Sequence, residues 1–95
     1  MASEKYLERK LHTKVEALGG WSLKLLPTFI TGLPDRLCLF PGGRAAFAEI
    51  KTSGKQPKPI QKTIHNKLRR LGFTVAVIDD IESLEEFLLL YSTKP

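Results

Sequence analysis

The spacing of apolar positions near the start of the chain predicts a helix. Four apolar residues recur at intervals of three or four, which is the spacing of one helix face: Leu7, Leu11, Val15 and Leu18. Ser3 precedes this stretch as a candidate N-cap, and Gly19 and Gly20 follow it as a stop signal. We therefore expect a first helix from Ser3 to Leu18.

Three short apolar runs follow, and turn residues separate them. Residues 21–26 alternate between apolar and polar side chains as a half-buried strand does, and residues 27–34 form a loop. A second run, 36–40, stops at the turn composition of residues 41–43, and a third run occupies 45–51. These runs predict an antiparallel meander of three strands.

The second half of the chain alternates helix, strand and helix. After a loop at residues 52–59, helical spacing returns and ends before Gly72, with apolar positions at Ile60, Ile64, Leu68 and Leu71. Residues 73–78 form a β-rich run, and Asp79, Asp80 or Ser83 can cap a last helix that reaches about Tyr91. A helical crossover makes the last strand parallel to its neighbour. The prediction is an α/β fold of order αβββαβα, with a mixed central sheet flanked by helices.

Length and composition restrict the class of protein. A chain of 95 residues with 42% hydrophobic and 26% charged residues is typical of one globular domain, which we assign to residues 1–95. We find no apolar run of the roughly 20 residues that a membrane span requires and no signal peptide, so we expect no membrane partner and a cytoplasmic location. The single cysteine, Cys38, lies in an apolar run and is expected to be a buried structural thiol.

Positive charge is concentrated in one part of the chain. Residues 44–72 contain eight basic residues and one acidic residue, whereas the remainder has seven basic and nine acidic residues. A run of this kind is either a solvated helix face or a surface for a polyanion. Charge alone does not decide between these two interpretations.

One group of polar residues has the composition of a hydrolytic metal site. Glu49 and Lys51 alternate on one face of the third strand, and the hairpin register brings Asp35 near them. Two carboxylates on adjacent strands suit Mg²⁺ or Mn²⁺, and a lysine beside them can orient water for phosphodiester hydrolysis. The simpler alternative is that Asp35 ends a loop and the other two form an exposed strand pair worth about 0.5 kcal/mol.

The order of these motifs resembles a known nuclease family. The segment 32–36 (GLPDR), the segment 47–51 (FAEIK) and Gln61 after a loop containing Gly54 and Lys55 are similar to the virus-type replication-repair nuclease (VRR-NUC) domain of the PD-(D/E)XK nuclease superfamily. The resemblance spans nearly the whole chain. It implies a restriction-endonuclease-like core and a metal-dependent endonuclease that needs no small-molecule cofactor.

The resemblance also implies roles for individual residues. Asp35 and Glu49, with the backbone carbonyl of Ile50, bind Mg²⁺ or Mn²⁺, while Lys51 positions the attacking water. Gln61 supports the site or contacts the scissile region. A first-helix glutamate completes the acidic set; it is assigned to Glu8, with Glu4 as the alternative. Taken singly, Glu8 and Gln61 are also compatible with solvated helix positions.

The resemblance gives the basic run a function as a nucleic-acid surface. Its members contact phosphates without reading base sequence: Lys55, Lys58, Lys62, Lys67, Arg69 and Arg70. Arg36 is assigned to the same surface, although a supporting ion pair is an equal alternative. We expect His12 and His65 on helix surfaces or near phosphates, since neither has the spacing of a metal ligand. Trp21 is expected in the sheet core, or stacked on a base.

Small stand-alone members of this family resemble Holliday-junction resolvases of bacterial or phage origin. The resemblance thus implies branched DNA as the substrate, a four-way junction in particular, and a homodimer that makes symmetric cuts. The last helix offers an interface, since Phe87, Leu89 and Leu90 extend its apolar surface; the equal alternative is that this helix is simply well buried. The alternatives are a nuclease of the same fold that acts on flap, nicked or linear duplex DNA, and a non-catalytic DNA-binding module.

Overall fold

A computed structural model describes residues 2–26 and 30–93 of the chain, and within these residues the fold has seven elements. In chain order they are α1 (Glu4–Ala17), β1 (Trp21–Lys24), β2 (Arg36–Phe40), β3 (Arg44–Ile50), α2 (Pro59–Arg70), β4 (Thr74–Ile78) and α3 (Ile81–Leu89). The order αβββαβα and the α/β class are therefore confirmed. The predicted loop at 27–34 lies partly outside the described residues, since these exclude positions 27–29.

The four strands form one mixed sheet in the order β1-β2-β3-β4. The first three strands pair antiparallel, with Leu37 opposite Phe47, and the short turn at residues 41–43 joins β2 to β3 as a hairpin. β4 pairs parallel with β3, with Ala48 opposite Ala76, because α2 returns the chain to the same end of the sheet. The predicted meander and crossover are both present.

One face of the sheet is closed by α1 and α3. Ser3 caps α1, since its Oγ accepts the backbone N–H of Tyr6 at 3.1 Å. Asp80 is the residue that caps α3, and its Oδ1 accepts the N–H of Ser83 at 2.7 Å. The buried core between these helices and the sheet comprises Leu7, Leu11, Val15, Cys38, Phe40, Ala46, Ala48, Ile50, Ile78, Leu84 and Phe87. Burial raises the pKa of the Cys38 thiol to about 11, as befits a structural cysteine.

The opposite face of the sheet is covered less completely. Helix α2 packs on this face against β4, at the far end of the sheet from β1. Trp21 points to this face, because its strand partner is Leu39, and it is 58% exposed. The expectation that Trp21 packs in the core is therefore wrong: none of the helices within residues 2–26 and 30–93 packs on the β1 side of this face. Phe87, by contrast, is buried in the core, so it does not extend the apolar surface of α3.

No helix in the described parts of the chain has both the length and the hydropathy that a transmembrane span requires.

A close backbone approach joins the loop before β2 to the start of α2. Gly32 has a φ of +93°, and a Cβ at this position would lie 2.8 Å from the backbone oxygen of Ile60. Such a distance is too short for non-bonded atoms, so any side chain at Gly32 pushes the loop and α2 apart. The loop leads directly into Asp35 and the helix carries Gln61, and Gly32 thus sets how closely these two residues approach.

Replacing Gly32 with alanine should destabilise the protein more than the same change at Gly43. Gly43 also has a positive φ, of +73°, but a Cβ there meets no atom within 4 Å. Gly43→Ala should cost about 1 kcal/mol for the left-handed backbone, and Gly32→Ala about 2–3 kcal/mol because the steric contact adds to that cost. Urea unfolding of the two variants measures the difference. Equal losses would contradict a close approach at Gly32.

Candidate active site

The structure brings Asp35, Glu49 and Lys51 to one face of the sheet. Arg36 pairs with Ala48 at the end of the β2–β3 ladder, and Ala48 packs into the core under α1. Since successive strand residues face opposite ways, Asp35, Glu49 and Lys51 project to the other face, which is the face that α2 covers.

The Asp35 carboxylate is fixed at the junction of two strands. Its Oδ2 accepts the backbone N–H of Ile50 at 2.7 Å, and its backbone carbonyl accepts the N–H of Leu25 at 2.8 Å. The N–H and C=O of a strand residue point to the same neighbouring strand, so the Ile50 carbonyl also lies on the Asp35 side of β3.

Glu49 is the most enclosed member of the group, with 2% of its surface exposed. Its Oε2 accepts the side-chain amide of Gln61 at 3.2 Å and lies 3.7 Å from the Lys51 ammonium. Its Oε1 lies 3.4 Å from Nε2 of His65, a side chain that is itself 1% exposed. Gln61 also accepts the N–H of Lys58 at 2.8 Å, which ties the first turn of α2 to this carboxylate.

The electrostatics of the group show a shortage of positive charge. Burial and, next, the neighbouring Asp35 carboxylate raise the pKa of Glu49 to about 7, although the Lys51 ammonium acts in the opposite direction. The pKa of His65 is lowered, chiefly by burial and next by the nearby cations Arg69 and Lys51. One ammonium therefore serves two adjacent carboxylates, and the histidine adds no charge.

The donor set fits a hard divalent cation. Within the described residues no three histidine, cysteine, aspartate or glutamate side chains are arranged to hold a metal by themselves. Mg²⁺ and Mn²⁺ do not need three, because they commonly bind one or two carboxylates and complete their coordination with water and substrate phosphates. Asp35, Glu49 and the Ile50 carbonyl offer such oxygens, and the buried Oε1 of Glu49 has no hydrogen-bond partner in the described part of the chain.

Lys51 begins a loop that is tied down on both sides. Its backbone N–H donates to the Ile78 carbonyl at 2.9 Å, and 16% of its side chain is exposed. In the next residues Thr52 donates its hydroxyl to Oε2 of Glu4 at 2.6 Å, and the N–H of Gly54 donates to Asp79 at 3.4 Å. The loop that carries Lys55 is therefore anchored to α1 and to the end of β4.

Glu8 does not join the carboxylate pair. Its Oε1 lies 2.7 Å from Nη2 of Arg36 and 3.8 Å from the Lys24 ammonium, on the α1 face of the sheet. Two basic residues, Lys24 of β1 and Arg36 of β2, hold Glu8 on the other face, so the structure does not bring it to Asp35 and Glu49, and its assignment to the metal and catalytic set stays a prediction. Glu4, the alternative, contacts Thr52 beside the site.

The predicted nucleic-acid residues fall into two groups. Five are exposed and make no ion pair within the described residues: Lys55, Lys58, Lys62, Lys67 and Arg70. The other two donate to the protein itself. Arg69 donates to the Val75 carbonyl at 2.7 Å, and Arg36 donates to Glu8 and to the Ser22 carbonyl, which is the ion-pair alternative for Arg36. A cleft of about 200 Å³ is lined in part by Asp35, Lys58 and Gln61, so one member of the exposed group, Lys58, shares it with the Asp35 carboxylate.

Sequence reasoning missed His65. It is not on a helix surface as expected, because the face of α2 that carries it packs over Glu49. The available signal was its spacing of four residues from Gln61, which places both side chains on one helix face. His12 does lie at a helix surface, where it is 3.2 Å from Glu16.

Comparisons with known proteins relate the chain to nucleases. No protein-family model matches it. It is 36% identical over 83 residues to a protein of Acyrthosiphon pisum secondary endosymbiont phage 1 described as "Putative nuclease p44", covering 85% of this chain and 89% of that relative. A solved structure described as "VRR_NUC domain" is similar, with a TM-score of 0.86 and 28% identity, covering 95% of this chain and 99% of the solved chain.

The raised pKa of Glu49 predicts a pH-dependent stability for the metal-free protein. A carboxyl whose folded pKa is about 7, against an ordinary value of 4.5, favours the folded state while it is protonated. That stabilisation is lost as the pH rises from about 4.5 to 7. Glu49→Gln, which stays neutral, should therefore gain about 1–3 kcal/mol relative to the wild type between pH 5 and pH 8. Urea unfolding in EDTA measures this, and a gap that does not change with pH would contradict it.

Proposed function

Because the chain belongs to the VRR-NUC family of nucleases, we propose that it is a metal-dependent endonuclease that hydrolyses phosphodiester bonds in branched DNA. The observation that carries the proposal is the convergence of Asp35, Glu49 and Lys51 on one face of the sheet, around a buried carboxylate. If Glu49 and Lys51 formed only a structural ion pair, a second carboxylate beside them would be unfavourable, because Asp35 raises the free energy of the ionised Glu49.

The side chains divide the chemistry among them. Asp35, Glu49 and the Ile50 carbonyl would hold Mg²⁺ or Mn²⁺, which supplies a Lewis acid that polarises the phosphoryl oxygen and lowers the pKa of attacking water. Lys51, with its ammonium 3.7 Å from Glu49, donates a hydrogen bond to that water or to the developing charge on phosphorus oxygens. Gln61 holds one oxygen of Glu49 in place.

The DNA backbone would bind along the exposed cations beside the site. Lys58 lines the cleft next to Asp35 and Gln61, and Lys62 follows one helical turn later. Their ammonium groups neutralise phosphates without reading bases, so recognition depends on the shape of the DNA. Such a reaction belongs in the cytoplasm of a bacterial or phage-infected cell, where the DNA is.

A homodimer is part of this proposal. A four-way junction is close to two-fold symmetric, and paired symmetric cuts require two active sites. Leu89 and Leu90 at the end of α3 are 69% and 59% exposed, so the apolar surface expected on this helix is available on these two residues. The active site lies on the other face of the sheet and is left open by contacts made through α3.

The first test is cleavage of matched four-way, flap, nicked and linear duplex DNA with Mg²⁺ or Mn²⁺. We expect paired symmetric cuts in the four-way junction by the wild type, and a loss of at least about 100-fold in Lys51→Ala and Asp35→Asn. The asparagine keeps an acceptor for the Ile50 N–H while removing the charge. Lys5→Ala, on an exposed position of α1, is the matched control for loss of a lysine.

Each result of this panel has a definite meaning. Cutting confined to flaps, nicks or linear duplex would keep the chemistry and replace the substrate. Full cleavage by both site variants would rule out the assigned residues, and tight binding without any cutting would favour the DNA-binding module. A monomer in light scattering, with and without DNA, would contradict the dimer.

The basic surface is tested separately through salt dependence. Lys58→Ala with Lys62→Ala should weaken DNA binding and lower the slope of log affinity against log salt by about two units, one for each lost phosphate contact. The measurement is a fluorescence anisotropy titration in EDTA, which prevents cleavage. Lys5→Ala with Lys14→Ala removes the same charge from α1. If this control pair changes the slope equally, the effect comes from net charge and not from a contact surface on α2.

A further inference from the structure

We infer that His65 is a positioning residue, which donates its Nε2–H to Glu49 and, with Gln61, holds this carboxylate in the orientation in which it binds metal. The inference rests on the proposed function, because it concerns the same carboxylate. It adds a residue that neither the motif pattern nor the comparisons assign.

The geometry places one donor from α2 beside each oxygen of Glu49. Gln61 and His65 are four residues apart and therefore share a helix face. The Gln61 amide is 3.2 Å from Oε2, and Nε2 of His65 is 3.4 Å from Oε1. Two side chains of one helix thus hold the carboxylate at two points, and rotation of the carboxylate group breaks at least one of these contacts.

Burial indicates that the His65 contact is a hydrogen bond in the working protein. Oε1 of Glu49 and Nε2 of His65 face each other, and neither has another partner within the described residues. Unpaired polar atoms are rare in protein interiors, and shortening of this distance by a few tenths of an ångström gives an ordinary N–H···O bond. A neutral imidazole carries one N–H, so the bond requires the tautomer protonated at Nε2.

A donor at this place has a consequence for metal binding. An ionised carboxylate has about four lone-pair positions, and the two α2 donors use one on each oxygen. The remaining positions are free for a cation beside Asp35. Residues that hydrogen-bond to a metal ligand without contacting the metal fix the orientation of that ligand, and their loss commonly lowers metal affinity or activity by about 10–100-fold. A histidine that merely filled space would be replaceable by an apolar residue without this loss.

The test compares His65→Leu, which removes the donor, with His65→Gln, whose amide restores an N–H. Calorimetric titration with Mn²⁺ in the absence of DNA measures affinity, and the Mn²⁺ concentration for half-maximal cleavage of the preferred DNA measures function. We expect a loss of about 10–100-fold for His65→Leu and of less than about threefold for His65→Gln. His12→Leu removes a half-exposed histidine of α1 as the matched control and should change neither value.

A measurement on the wild type alone does not depend on whether a variant folds. Nitrogen-15 spectra of the imidazole at saturating Mg²⁺, which keeps Glu49 ionised, should show a neutral His65 protonated at Nε2, and protonation at Nδ1 alone would overturn the inference. So would wild-type Mn²⁺ affinity in folded His65→Leu, or equal losses in His65→Leu and His65→Gln. A wild type that binds Mn²⁺ but cuts no DNA overturns the proposed function only, since the affinity comparison then still decides the role of His65.

Discussion

The burial of the Glu49 carboxylate is the constraint around which one face of this protein is arranged. An ionised acid with 2% exposure is unfavourable unless donors or cations surround it. Glu49 has the Gln61 amide and the Lys51 ammonium on one oxygen, while its other oxygen faces His65. The Asp35 carboxylate adds a second negative charge beside Glu49 and so contributes to the raised pKa of Glu49. The structure thus contains a destabilising pair of acids at the place where the proposed hydrolytic metal site needs them.

The elements that satisfy Glu49 are held together by backbone geometry. Helix α2 starts where the loop around Gly32 touches the backbone of Ile60, and its first turn is joined to Glu49 through Gln61. Asp35 in turn binds the Ile50 N–H, so β2 and β3 are locked together beside the buried acid. A shift of α2 therefore changes three things at once: the donors that Glu49 receives, the distance between α2 and Asp35, and the cleft between α2 and Asp35.

The local part of this arrangement could be predicted from sequence. Helical and alternating spacing located all seven elements, and alternation along β3 with a short hairpin was enough to place Asp35, Glu49 and Lys51 together. What the sequence pattern could not predict depends on contacts between distant elements. Glu8 pairs with Arg36, 28 residues away, and the exposure of Trp21 follows from the end of the sheet at which α2 lies. His65 was missed because a polar residue on a basic helix gives no sign of burial by itself, and its spacing of four residues from Gln61 becomes informative only once Gln61 is known to contact Glu49.

The alternation of side chains along β2 and β3 also places the stabilising ion pair and the candidate catalytic residues on opposite faces of the sheet. Arg36 and Asp35 are adjacent in sequence, yet Arg36 binds Glu8 on the face closed by α1, and Asp35 lies on the face of the carboxylate pair. The cations suited to a phosphate backbone are on the second face as well, with Lys58 and Lys62 at the start of the helix whose Gln61 binds Glu49. In the proposed function, one helix would therefore set the distance from bound phosphate to the reacting centre. Since phosphate contacts do not identify bases, that distance is what would allow the proposed nuclease to select DNA by its shape.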